Sequence, residues 1–126
     1  MNYVKSFKEL EVYKTSRILS KVVFIVCQKF PIEEKYSLTD QIRRSSRSIG
    51  AQIAEAWGKR KYEKHFVSKL SDADSEQFET QHWLEIANEC QYLEETDKTK
   101  LLALCESIGR MLNSMIDKAS MFCKSL

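Results

Sequence analysis

Apolar side chains recur at helical spacing along most of the chain, and the pattern is clearest in its second quarter. The apolar positions there are Leu38, Ile42, Ile49, Ile53 and Trp57. A spacing of four or seven residues predicts one face of an amphipathic helix. Ser45, Ser46 and Ala56 lie on or beside this face, and the same segment holds the small residues Ser48, Gly50, Ala51 and Ala54. Because small side chains let a neighbouring helix approach closely, we expect a central helix within an all-helical domain.

Three further helices are predicted around this one. The first runs from about residue 8 to 28 and ends before Pro31, because the residue preceding a proline disfavours helical geometry. The third runs from residue 62 to 93, and its middle, residues 71–76, is poor in apolar anchors, which predicts a kink or local irregularity. The fourth carries a heptad seam. That seam is Leu101, Cys105, Ile108, Leu112, Met115, Ala119 and Phe122.

The helix ends carry recognisable signals. Ser37 to Asp40 resembles a capping box before the central helix, and Gly58 is a suitable stop for it. Asp97 is a suitable N-cap for the fourth helix. With only three glycines and one proline, the chain has no competing strand pattern. Short connectors between four helices predict an all-α fold, an antiparallel up-down-up-down four-helix bundle formed as a single domain by residues 1–126.

Charge is segregated along the chain. Residues 43–64 hold seven bases and two acids, whereas residues 70–97 hold nine acids and neither lysine nor arginine. Folding the second helix back on the third about a turn near residue 60 brings these two segments together. Arginine suits such contacts because its planar fork binds carboxylates through two hydrogen bonds. The structural ion pairs predicted are Arg44 with Glu76, Arg47 with Asp72, and Arg43 with Glu76 or Glu79.

Another group of cations has no acids opposite it in this arrangement. We call it the basic pole, and it consists of Lys59, Arg60, Lys61, Lys64, Lys5 and Lys8. Lys118 and Lys124 fall at the same end of an up-down bundle, and the aromatic residues Tyr3, Phe7 and Tyr62 are interleaved with it. Cations interleaved with aromatic rings are typical of RNA-binding surfaces, while an ordinary solvated surface is the alternative. The opposite end gathers Glu33, Glu34, Glu89, Glu94, Glu95 and Asp97.

Residues typical of enzymes and metal sites occur without their usual context. Glu79 and His82 have the Glu-x-x-His spacing of di-metal bundles, but no acid lies three residues before His65, the other histidine. We therefore interpret His82 as a surface or contact residue. The chain has neither a glycine-rich phosphate loop nor a nucleophile motif. We predict a non-enzymatic protein with no metal, no cofactor and no small-molecule substrate.

The four cysteines, Cys27, Cys90, Cys105 and Cys123, form no close pair. Their positions in apolar stripes predict buried free thiols in a reducing compartment. The residues at the start lack a signal-peptide core, and the longest apolar run, residues 22–27, is too short to cross a bilayer, so we expect a cytoplasmic protein. This run covers more than one side of its helix. We expect it, with the small face of the central helix, to contribute to self-association.

Several motifs occur in a fixed order along nearly the whole chain. They are Phe7-Lys8-Glu9-Leu10-Glu11-Val12-Tyr13, Phe30-Pro31, Leu38-x-x-Gln41-Ile42-Arg43-Arg44-Ser45, Ser48-Ile49, Ile53-Ala54-Glu55, Gly58-Lys59-Arg60 and Glu79-Thr80-Gln81. In these motifs the chain resembles the bacterial four-helix-bundle family named after 23S ribosomal RNA intervening sequences. The accessory variability proteins of diversity-generating retroelements are similar to this family.

The resemblance implies a homopentamer of up-down bundles. In the retroelement relatives, a basic pentameric barrel binds a reverse transcriptase and nucleic acid. We therefore expect a homo-oligomer whose basic pole contacts RNA or a nucleic-acid-associated protein. The alternative is a protein-binding scaffold that makes no direct contact with nucleic acid.

Overall fold

The structure, a computed structural model, describes residues 4–123. Within this range, five α-helices follow one another. They are α1 (Glu11–Cys27), α2 (Asp40–Gly58), α3 (Glu63–Glu89), α4 (Glu95–Asp117) and α5 (Ala119–Cys123). Short 3₁₀ turns occupy Phe7–Glu9 and Ile32–Glu34, and a π-helical turn at Lys35–Thr39 leads into α2. No strand occurs in this range. The predicted all-α class is confirmed.

The four long helices form the predicted antiparallel bundle. In the main packing contacts α2 lies between α1 and α3, and α4 packs against α3 and α1. Their side chains fill one continuous core, which includes Leu19, Ile49, Phe66 and Leu101. The short helix α5 returns to α3, where Phe122 stacks on Phe66 with ring centroids 5.8 Å apart. The start of α1, the end of α2, the start of α3 and the end of α4 therefore share one end of the molecule.

Several small residues of α2 pack against other helices of the same chain. Ser45, Ser46 and Gly50 are buried between neighbouring helices, and a Cβ placed on Gly50 would lie 3.2 Å from Ser16 Oγ of α1. Toward α3, the hydroxyls of Ser45 and Thr80 are hydrogen-bonded at 2.9 Å. Close helix approach is therefore observed as predicted. These residues are buried by helices of the same chain and are not available to a second copy. The expectation that they contribute to self-association is therefore wrong.

The start of the chain differs from the prediction of a helix beginning near residue 8. Leu10 has extended backbone angles, φ −67° and ψ 132°, and separates the Phe7–Glu9 turn from α1. Ser6 caps that turn, because its hydroxyl accepts a hydrogen bond from the Lys8 N–H. The extended residue lets Leu10 itself enter the core, where it is buried.

Two predicted caps are wrong. Ser37 to Thr39 of the expected capping box lie in the π-helical turn, and Asp40 is the first residue of α2. Thr39, which precedes α2, has helical angles and makes no side-chain cap. Likewise α4 begins at Glu95 after the extended residue Glu94, so Asp97 lies in the first turn. An acid in that turn still stabilises the helix, because its charge complements the helix dipole.

The long helix α3 is α-helical through residues 71–76, without the predicted irregularity. Ala73 is buried there, and a small side chain suffices where the helices are close. The helix ends at Glu89, before the predicted residue 93, because Gln91 adopts a left-handed φ of 65°. The N–H of Tyr92 then donates to the carbonyl of Ala87 at 2.9 Å. This pattern satisfies a carbonyl at the helix end.

The heptad seam of α4 is confirmed, since Leu101, Cys105, Ile108, Leu112 and Met115 are buried. The seam continues after a break at Lys118, whose backbone leaves the helical region. Ala119 is buried and Phe122 half-buried in α5.

Candidate partner-binding surfaces

Most of the basic pole is built from the connection between α2 and α3. α2 ends at Gly58, and Lys59, Arg60 and Lys61 follow before α3 begins at Glu63. The Tyr62 N–H donates to the Lys59 carbonyl at 2.9 Å, which closes a tight turn. Lys64 lies in the first turn of α3. Both helices thus direct their cations to one end of the bundle.

Arg60, in the basic pole, packs on a neighbouring aromatic ring. Its Cζ atom lies 3.6 Å from the centroid of the Trp57 ring, and its Nε donates to the Trp57 carbonyl at 2.8 Å. A cation here complements the negative end of the α2 dipole. Arg60 therefore lies over the indole ring and is half-buried, while Lys59, Lys61 and Lys64 are exposed.

Lys5 and Lys8 reach the same end from the segment before α1. Phe7 packs edge-on against Tyr13 with ring centroids 4.9 Å apart, and the Phe7–Glu9 turn packs on α2. Both lysines are exposed. Across residues 4–123, none of the six cations of the basic pole lies in a salt bridge. Lys118 is exposed at the end of α4, whereas Tyr3 and Lys124 lie outside the described residues.

Arg44 forms the predicted contact between α2 and α3. Its two terminal nitrogens lie 3.2 Å from Glu76 and 2.6 Å from Glu79. Trp83 Nε1 also donates to Glu79 at 3.0 Å. The Trp83 hydrogen bond and the Arg44 guanidinium lower the pKa of Glu79, although partial burial opposes them. The pKa of Arg44 is raised by the same two carboxylates, Glu79 first.

The other predicted ion pairs are absent from the described part of the chain. Arg43 and Arg47 lie over the ring of Phe24 in α1, with Cζ 5.0 Å and 5.9 Å from its centroid. Asp72 is exposed and forms no salt bridge within residues 4–123. Consecutive helical residues differ by about 100° around the axis. Arg43 and Arg47 therefore share the side of α2 that faces α1, while Arg44 faces α3.

A second basic surface, which sequence reasoning missed, lies between α1 and α2. We call it the α1–α2 groove. It has a volume of about 450 Å³ and is lined by Arg17, Ile18, Ser20, Lys21, Phe24 and Arg47. Residues 12–32 and 41–54 contain no acid. That absence was the available signal, but only the packing of α1 on α2 brings the two acid-free segments together.

The thiols and imidazoles lie in different environments. Cys27 and Cys105 are buried, as predicted, and burial raises the pKa of the first to about 11 and of the second to about 12. Cys90 is exposed where α3 ends, so its predicted burial is wrong. His65 and His82 are both exposed. Among residues 4–123, no three potential ligands cluster closely enough to hold a metal ion.

A family model described as 23S rRNA-intervening sequence protein matches residues 8–114, which include both basic surfaces except Lys5. The chain belongs to this family. No helix within residues 4–123 has the length and apolarity needed to cross a membrane.

A solved structure also resembles this family member. It is a protein of unknown function from the S23 ribosomal protein family of Bacteroides thetaiotaomicron VPI-5482, with 28% sequence identity and a TM-score of 0.75. The match covers 83% of this chain and 97% of that one. No curated protein matches the chain. Neither the family description nor the solved structure's description names an enzymatic activity.

Proposed function

We propose that this family member is a non-enzymatic, cytoplasmic homo-oligomer, a pentamer, whose basic pole binds RNA or a ribonucleoprotein partner. The observation that carries this proposal is the set of cations at the pole, none of whose charged side chains lies in a salt bridge within residues 4–123. An unpaired cation can exchange its counterions for phosphate groups, and this exchange drives most nucleic-acid binding.

The stacked pair of Arg60 and Trp57 supports an RNA partner. The Arg60 guanidinium already lies over the Trp57 ring, with Cζ 3.6 Å from the ring centroid. Unpaired RNA bases stack on aromatic rings and on guanidinium planes. Tyr62, which is 62% exposed, adds a second ring in the same connector. The pole therefore combines charge for phosphates with flat surfaces for bases.

Exposed apolar side chains on α1 support self-association. Ile18, Phe24 and Ile25 are 53%, 44% and 54% exposed, respectively. Ile18 and Phe24 line the same groove, and clustered exposed apolar side chains are a common sign of a protein interface. If copies are related by rotation about an axis parallel to the helices, all basic poles lie on one face of the ring. Their fields then add, and anion attraction is stronger than for one subunit.

An RNA titration tests the role of the basic pole. We expect the affinity for a single-stranded RNA to fall steeply as salt rises, and the variant Lys59→Glu/Lys61→Glu to bind at least about tenfold more weakly at low salt. The matched control is Lys35→Glu/Lys100→Glu, which makes the same change in net charge at the opposite end. Unchanged affinity in the pole variant would remove this binding mechanism.

The second candidate is a protein-binding scaffold without direct nucleic-acid contact. It is favoured by Ile32 and Tyr36, which are 75% and 72% exposed in the connector between α1 and α2. This connector lies at the end opposite to the basic pole. A scaffold would show no salt-dependent RNA binding, and charge reversal at the basic pole would have no effect on its partner.

A further inference from the structure

The α1–α2 groove offers positive charge and apolar surface together. Lys21 and Arg47 are exposed, and neither lies in a salt bridge among the described residues. Phe24 lies between them as an aromatic surface that is 44% exposed. Arg43 and Arg47 already pack on that ring, so their charges are held close to it. An occupant of this groove needs negative charge flanking an apolar side chain.

The outward side of α3 has that composition. We call it the α3 ridge, and its exposed residues at helical spacing are Ser68, Ser71, Asp72, Ser75, Phe78, His82, Glu85 and Glu89. Phe78 is 60% exposed near the middle of the ridge. Residues 70–97 contain neither lysine nor arginine. Lys98 of α4 pairs with Glu85 at 3.3 Å, so the acids that remain for a partner are Asp72 and Glu89, with Phe78 between them.

We infer that the α3 ridge of one copy docks into the α1–α2 groove of the next copy, with Phe78 against Ile18 and Phe24 and with acids facing Lys21 and Arg47. This inference rests on the self-association part of the proposed function. The complementarity favours a second copy over RNA as the occupant. RNA would neutralise the cations of the groove but would leave the apolar ring of Phe78 in water.

The arrangement is heterologous, because each copy uses two different surfaces. Since α2 lies between α1 and α3, the groove and the ridge are not on opposite sides of the bundle. Successive copies therefore turn in the same direction, which favours a closed ring over a straight filament. Both surfaces lie on the flanks of the helices, so docking leaves the basic pole free.

Charge reversal tests the pairing by native mass measurement of the intact chain. In Lys21→Glu/Arg47→Glu the groove becomes acidic and repels the ridge, and in Asp72→Lys/Glu89→Lys the ridge becomes basic and repels the groove. We expect each double variant to lose the wild-type assembly and to sediment as a single 14.7 kDa chain. The quadruple variant carries both reversals, and we expect it to recover the wild-type mass.

The controls separate docking from folding and from net charge. Lys35→Glu/Lys100→Glu has the same net charge as the groove variant and should keep the wild-type mass. Helical circular dichroism should be equal in all variants, because the substituted side chains are exposed. Phe78→Ser, which changes no charge, should also weaken assembly.

Three results from the variants would overturn the pairing. The first is a wild-type mass in both double variants, and the second is a quadruple variant that remains a single chain. The third is a groove variant that keeps its mass but loses RNA affinity, because the groove would then be a nucleic-acid surface. A wild-type protein that is a single chain would remove both this pairing and the proposed self-association. RNA binding by Lys59→Glu/Lys61→Glu is measured separately, and neither its loss nor its retention bears on the pairing.

Discussion

The carboxylate of Glu79 lies at the contact between α2 and α3 and accepts hydrogen bonds from both Arg44 and Trp83. We expect Glu79→Ala to lower the free energy of unfolding by about 1–2 kcal/mol, because a half-buried indole N–H loses its acceptor and Arg44 loses a partner. Glu95, whose side chain is 70% exposed, pairs with Lys98, and Lys98 keeps Glu85 as a second partner, so Glu95→Ala should cost less than about 0.5 kcal/mol. Urea denaturation compares the two, and equal losses would contradict this role of Glu79.

The same carboxylate makes stability depend on pH. Its pKa is lowered in the folded protein from an ordinary value of 4.5, first by the Trp83 hydrogen bond and then by Arg44. Its contribution is therefore complete above that ordinary value and is lost as pH falls through the lowered pKa. Glu79→Gln should lose less stability than the wild type when pH falls below 4.5. Parallel pH profiles of the unfolding free energy would contradict this assignment.

The thiols should differ in their reactivity. Cys90 is exposed, whereas Cys27 and Cys105 are buried and have pKa values raised to about 11 and about 12. The thiolate is the reactive form, and in the buried pair it is both scarce and inaccessible. Brief alkylation at neutral pH, followed by peptide mass spectrometry, should label Cys90 first and the buried pair only after unfolding. Cys90→Ser should remove the earliest label and leave only slower labelling of the half-buried Cys123. Rapid labelling of Cys105 in the folded protein would contradict the packing of α4.

Between elements, the contact of α3 with α4 depends on a glycine. A Cβ on Gly109 of α4 would lie 3.0 Å from Gln77 Nε2 of α3. Gln77 cannot easily move, because it is 2% exposed, donates to Asp74 at 2.9 Å and accepts from Gln81 at 2.6 Å. Close approach of the two helices therefore requires a residue without a side chain.

We expect Gly109→Ala to destabilise the protein by about 1–2 kcal/mol, despite the better helix propensity of alanine. The matched control is Gly58→Ala at the end of α2, where no atom outside the adjoining helix backbone and the two chain neighbours lies within 4 Å of the added Cβ. That change should be neutral or stabilising by up to about 1 kcal/mol. Thermal or urea unfolding of both variants measures the difference, and a stabilised Gly109→Ala would mean that Gln77 yields easily.

At the scale of the whole molecule, charge is separated in two directions. The ends of the bundle differ, and so do its flanks, with the α1–α2 groove basic and the α3 ridge acidic. Attraction between such flanks is screened within about 10 Å at 0.1 M salt. We therefore expect the mean mass of the assembly, measured by light scattering at micromolar concentration, to fall as salt rises from about 0.05 to about 0.5 M. A mass that rises with salt would indicate that the apolar contacts dominate instead.

Local patterns accounted for most of the fold. The helix α2 and the seam from Leu101 to Met115 follow from apolar spacing, and the end of α2 follows from the helix-breaking residue Gly58. The caps were harder to predict, because Ser37 and Asp97 satisfy a cap motif that the backbone does not use. Which side chain caps a helix depends on where the chain enters it, and that is set by neighbouring helices.

For the candidate surfaces, the sequence by itself determined the helices, their buried faces and the cations of the basic pole, since each of these depends on spacing within one short segment. Only the tertiary structure decided which neighbour each arginine meets. Arg43 and Arg44 are adjacent in the chain, yet one lies over Phe24 of α1 and the other binds Glu79 of α3. A turn of about 100° per residue separates them. The rotation of α2 about its own axis, set by packing on both sides, therefore turned predicted ion pairs into a basic groove.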